Sequence, residues 1–242
     1  MLAALGWGAL AASSLLIGVF LAFARRWPDL QLGIVLAFGA GALISAVSFE
    51  LAQEGIDAGG LKATATGLAA GALTYYVMDG VIARRFSGER GMPGRKQSSD
   101  AGPALALGAF LDGVPEQLVL GIGLASGEPI SIGLVVAIFV SNLPEAIGSA
   151  TAMRAAGSPQ RIIYKLWIAV AVVCVLASAA GYGLADSVSG EMRAGIDGFA
   201  AGALVVMLID SMIPEAVSKA ARVTGLVTAL GFAVGVALSS LS

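Results

Sequence analysis

The sequence predicts an all-α polytopic membrane protein, and two features of its composition lead to this prediction. Hydrophobic residues make up 57% of the 242 positions and charged residues only 12%, about half the charged fraction of a soluble domain. The 33 glycines are typical of closely packed transmembrane helices and not of a β-barrel with alternating polarity. The whole chain, 1–242, is therefore interpreted as one transmembrane transporter domain with no separate soluble module.

A helix that crosses a bilayer needs about 20 apolar residues, and the sequence contains eight windows of roughly that size. The predicted transmembrane helices are 2–24, 32–53, 61–83, 103–126, 129–152, 164–186, 195–217 and 223–241. The first window has no basic segment before it and is followed by Arg25 and Arg26. It is therefore expected to be a retained helix and not a cleaved signal.

The basic residues predict the orientation of these helices. Twelve of the 14 Lys and Arg residues fall in loops on one side, and the other side has only Lys62 and Arg193. Cytoplasmic loops are enriched in Lys and Arg, so the first side is expected to be cytoplasmic and both termini external. The hydrophilic segment 84–102 then becomes a cytoplasmic linker of a multi-pass protein in the cell membrane.

Two internal similarities predict a 3+2+3 arrangement with inverted repeats. The segment 38–43 of the second helix resembles 199–204 of the seventh, and these two helices would run in opposite directions. The fourth and fifth helices form a second antiparallel pair, because each contains a Pro-Glu motif, at Glu116 and Glu145. Inverted repeats are common in membrane transporters. The two interior prolines are expected to break the fourth and fifth helices.

Polar residues within these apolar helices form the candidate site. Asp112 and Glu116 are four residues apart and so share one face of the fourth helix, and Ser141 and Glu145 have the same spacing on the fifth. The candidate metal ligands are Asp112, Glu116, Ser141, Asn142, Glu145 and, from the seventh helix, Asp210. The same depth contains no basic residue. Clustered carboxylates would therefore have to be protonated or hold a cation.

Each of these residues also has a simpler interpretation. Asp112 or Glu116 alone could be a protonated carboxyl group that bonds across helices, and Ser141 and Asn142 could form ordinary interhelical hydrogen bonds. Asp79 is interpreted as a surface charge near the basic end of its helix.

The Pro-Glu motifs, the segment 199–204 followed by Asp210-Ser-Met-Ile-Pro-Glu215, and the eight helices with external termini together resemble the ZIP family of divalent-metal transporters. The resemblance covers essentially the whole chain. It implies a metal site between the fourth and fifth helices, an acidic ligand from the seventh, uptake of zinc or related ions into the cytoplasm, and a homodimer. No cofactor is expected, because the metal would be the transported substrate. No nucleic-acid partner is expected either.

The sequence departs from the family pattern in its ligands. Members of that family typically have His-Asn-x-Pro-Glu on the fourth helix, where this chain has Asp112-Gly113 before its Pro-Glu, and Ser141 leads the motif on the fifth helix. The chain contains no histidine at all. The predicted site is therefore built from oxygen ligands, which favour ions such as Mn²⁺, Fe²⁺ or Mg²⁺, although zinc also accepts carboxylates.

Two other functions remain open at this point. Glu116 and Glu145 could relay protons in a carrier or channel for a substrate other than a metal. The chain could also be a ZIP-like scaffold or sensor that has lost transport. An enzyme is not expected, because no histidine is available as a base and the motifs of intramembrane aspartyl proteases are absent from the sequence.

Overall fold

The computed structural model describes residues 1–86, 101–125 and 132–239, and its regular elements in these ranges are all helical. The long helices are α1 (Leu2–Ala24), α2 (Asp29–Gly59), α3 (Leu61–Phe86), α4 (Ala101–Ala125), α5 (Ile132–Ala155), α6 (Gln160–Leu184), α7 (190–220) and α8 (Thr224–Ser239). The prediction of an all-α protein is confirmed for the described residues. Most of the predicted linker 84–102 lies outside them.

Local chemistry explains where several helices begin. Pro28 precedes α2 in an extended conformation, with Asp29 in the first turn, where a negative charge favours the positive end of the helix dipole. The hydroxyl of Ser189 accepts a hydrogen bond of 3.2 Å from the backbone nitrogen of Met192 and so caps α7. Between α2 and α3 the chain turns at Gly60, whose φ of 88° is a conformation that glycine adopts without strain.

The expected breaks in α4 and α5 are wrong, because both helices continue through their prolines, Pro115 and Pro144. A proline inside a membrane helix is tolerated when neighbouring helices and local adjustments satisfy the freed carbonyl group. The irregular backbone instead lies in α2, over the π-helical segment Ala46–Gln53, and in α7, over the π-helical segment Leu208–Met212. Short π-helical segments are frequent at functional sites.

The long helices pack in pairs. Within the described residues, α7 lies along α3, α2 along α8, α6 along α4, and α1 along α5. The central helices α4 and α5 contact each other, and α2 also contacts α5 as α7 contacts α4. Fully buried leucine and methionine side chains of α2 and α7, including Leu43, Leu204 and Met207, form the largest hydrophobic cluster. This packing places α4 and α5 in the middle of the bundle.

By length and composition, four stretches of the described chain could cross a membrane. They are Leu2–Ala24, Asp29–Gly59, Gln160–Ser187 and Gly190–Ser239, the last of which contains both α7 and α8. These stretches confirm the prediction of a helical membrane protein. Eight crossings and an external location of both termini stay predictions.

Candidate functional site

Two glutamates are buried next to each other at the centre of the bundle. Glu116 on α4 is 4% exposed and Glu145 on α5 is 0% exposed. The two side chains are close enough for the charge of Glu116 to act on Glu145. Neither carboxylate oxygen of Glu145 has a hydrogen-bond partner among the described residues. A buried carboxylate without partners is costly unless a proton or a cation neutralises it.

Asn142 adds a neutral oxygen close to this pair. It is 2% exposed and lies three residues before Glu145, on the same face of α5. Its side-chain oxygen, Oδ1, likewise has no hydrogen-bond partner in the described part of the chain. Buried amide oxygens normally have a partner, so this oxygen is available to a ligand.

Glycines on α1 and α2 allow α5 to approach closely enough to bury these groups. A Cβ atom added to Gly18 of α1 would lie 2.6 Å from Cβ of Ala146, and one added to Gly39 of α2 would lie 2.6 Å from Cβ of Pro144. Both distances are shorter than real Cβ contacts, so a larger residue at either position would push α5 outwards. The ends of Asn142 and Glu145 are thereby kept from water.

The other predicted ligands do not all join the buried pair. The backbones of Asp112 and Ser141 belong to α4 and α5, but their side chains lie outside the described part of the structure. Asp210 is exposed and lies in the π-helical segment of α7. Across the described residues, no three Asp, Glu, His or Cys side chains are grouped closely enough to hold a metal ion. The structure therefore describes a pair of carboxylates with a nearby amide.

Tyr75 on α3 is a further member of this region, and the sequence analysis did not identify it. It is 0% exposed, and its hydroxyl oxygen lies 3.4 Å from Oγ of Ser211, the residue after Asp210. Its electrostatic neighbours are Asp79, Glu145 and Asp210. A tyrosine in the middle of an apolar helix usually finds a polar partner for its hydroxyl, and this was the signal available in the sequence.

A second polar cluster, also not predicted, joins the C-terminal end of α2 to the N-terminal part of α7. Asp197 is 0% exposed, and its Oδ2 lies 3.8 Å from Nε of Arg193. Nη2 of the same arginine lies 3.1 Å from Oε2 of Glu54.

Comparison with known proteins gives one relevant similarity, and no family model matches the chain. Over 193 residues, 78% of this chain, the sequence is 30% identical to the Arabidopsis thaliana protein named "Putative zinc transporter". The matched part makes up 30% of that protein, so the chain corresponds to less than a third of its length.

Proposed function

We propose that this protein transports divalent metal cations across a membrane through a site formed by Glu116 and Glu145. The burial of these two neighbouring carboxylates carries the proposal. None of the buried side chains in the described ranges is a lysine or arginine. A divalent cation would neutralise both carboxylates at once.

Asn142 would contribute its amide oxygen, and Asp112, Ser141 and Asp210 are proposed as additional ligands on the basis of sequence and family resemblance. Carboxylate, amide and hydroxyl oxygens suit Mn²⁺ and Mg²⁺, whereas zinc and iron accept carboxylates but also bind imidazole. The name of the Arabidopsis relative supports zinc or a related ion as the substrate. We therefore propose uptake of zinc or a harder divalent ion towards the cytoplasm.

The proposed mechanism is alternating access between two inverted repeats, with eight helices crossing the membrane. The helix pairs support it, because α2 packs along α8 as α7 packs along α3, and α1 along α5 as α6 along α4. Close glycine contacts correspond in the same way. The contact of Gly41 with Thr228 corresponds to that of Gly202 with Leu68, and the contact of Gly231 with Phe38 corresponds to that of Gly71 with Phe199. The two π-helical segments also correspond, since 47–51 and 208–212 differ by the same 161 positions as the repeated motifs.

The test is uptake of Zn²⁺, Mn²⁺, Fe²⁺ and Mg²⁺ into proteoliposomes that contain the purified protein. Wild type should take up at least one ion, and the double variant Glu116→Ala and Glu145→Ala should take up none. Equilibrium binding of the same ions to purified protein separates the alternatives. Binding without uptake would favour a scaffold or sensor, and neither binding nor uptake by folded protein would favour a proton relay for another substrate. A homodimer, proposed from the family resemblance, is tested by the mass of the detergent-solubilised protein.

A further inference from the structure

The position of Tyr75 in relation to the acidic residues carries an inference that rests on the proposed transport function. Three acidic residues of different exposure lie around its side chain. Glu145 is fully buried, whereas Asp210 is exposed and Asp79 is half-buried. Tyr75 is an electrostatic neighbour of all three, and it is itself completely buried. Its side chain is therefore near both a buried carboxylate and carboxylates that are more open to the surface.

The parallel packing of α3 and α7 places Asp79 and Asp210 near Tyr75. The close contacts of Thr64 with Gly198 and of Leu68 with Gly202 advance in the same direction on both helices, so α3 and α7 are parallel. Asp79 lies one turn beyond Tyr75 on α3, and Asp210 precedes Ser211, the hydrogen-bond partner of the Tyr75 hydroxyl. By the predicted orientation, this turn lies towards the cytoplasm.

We propose that Tyr75 is the barrier between the buried carboxylate pair and the acidic residues Asp79 and Asp210, and that a divalent cation leaves towards these residues when the ring moves aside. A carboxylate at this depth is unfavourable against lipid, so Asp210 is expected to face a water-filled opening. The apolar ring closes the route to water, and the two aspartates attract a cation once it has passed.

The hydrogen bond between Tyr75 and Ser211 is suited to opening. Its oxygen-to-oxygen distance of 3.4 Å is longer than the usual 2.7–2.8 Å for two hydroxyl groups, so little energy is lost when it breaks. Ser211, the partner, is in the π-helical segment Leu208–Met212, where the backbone departs from regular α-helix. A change in this segment would move Ser211 and break its hydrogen bond to Tyr75.

The test measures access to the buried pair and does not require transport. In a background with the native Cys174 changed to Ala, Glu145→Cys serves as a reporter for a charged, membrane-impermeant thiol reagent. Labelling should be slow with Tyr75 present and with Tyr75→Phe, which keeps the ring. Tyr75→Ala should accelerate labelling about tenfold or more.

Tyr76→Ala is the matched control, because Tyr76 is the adjacent tyrosine but is 67% exposed. It should leave the labelling rate unchanged. If the alanine variant at position 75 fails to fold, Tyr75→Leu, which keeps an apolar side chain but loses the ring, is compared with Tyr75→Phe instead. An unchanged rate in a folded Tyr75→Ala or Tyr75→Leu protein would overturn the barrier. Fast labelling in a protein without metal uptake would refute only the proposed transport.

Discussion

Glu145 on α5 lies beside Glu116 on α4, and both are buried in a bundle whose described core contains no lysine or arginine. The two carboxylates differ from the ion pairs at the helix ends, where Lys219 reaches Asp29 at 3.0 Å and Arg193 reaches Glu54 at 3.1 Å. At the ends, opposite charges meet. In the centre like charges meet, and an external cation or proton is required to make the arrangement stable.

Replacing one glutamate of this pair should therefore reduce function and not stability. Glu145→Gln keeps the shape of the side chain but removes its charge. Metal affinity should therefore fall by about 100-fold or more, at least as much as when a residue that only hydrogen-bonds to a metal ligand is removed. The melting temperature without metal should stay the same or rise, because a like-charge contact is removed. Equilibrium metal binding and thermal unfolding of the purified protein measure the two effects. Glu191→Gln, at an exposed position on α7, is the control and should bind as wild type does.

The fold class and the pair of Glu116 and Glu145 could be predicted from sequence because each depends on a strong local difference in hydrophobicity. Long apolar windows predict membrane helices, and Glu116 and Glu145 interrupt such windows directly after proline. Asp197 and Tyr75 could not be identified in this way. Asp197 resembles an ordinary acidic residue in the first turns of a helix. Its burial depends on contacts with α2 and α3, which cannot be predicted from the local sequence pattern. The π-helical segments are missed for the same reason, since they arise from packing.

The close contact between α3 and α7 should make Gly202 intolerant of any side chain. A Cβ atom at this position would collide with the backbone carbonyl of Leu68, which can move only if the helices separate. Gly202→Ala should therefore destabilise the protein by about 1–3 kcal/mol, the usual cost of overpacking. Gly195 is on the same helix, but a Cβ atom there meets no atom within 4 Å. Gly195→Ala should be neutral or stabilising by up to about 1 kcal/mol. Equal melting temperatures for the two variants would contradict this packing.

Arg193 should stabilise the fold mainly through the buried carboxylate of Asp197. Removing the arginine leaves that carboxylate without a neighbouring positive charge, so Arg193→Gln should cost about 2 kcal/mol. This is less than the roughly 3–5 kcal/mol expected when a fully buried pair is broken, because the arginine side chain is 32% exposed. Adding Asp197→Asn to Arg193→Gln should restore most of the lost free energy of unfolding. A double-mutant cycle in chemical denaturation measures the coupling, and additive effects of the two changes would contradict it.

The ligand set predicted from sequence should also determine which ion is preferred. The family that the chain resembles typically has histidine where this chain has Asp112, and imidazole favours zinc over manganese. Asp112→His should therefore raise the affinity for Zn²⁺ relative to Mn²⁺, by about tenfold if the imidazole replaces one carboxylate ligand. Competition between the two ions for binding to purified protein measures this ratio, with Asp112→Asn as the control for simple loss of charge. If the histidine and asparagine variants give the same ratio, residue 112 does not bind the metal, and the remaining oxygen ligands must be sought around Glu116, Asn142 and Glu145.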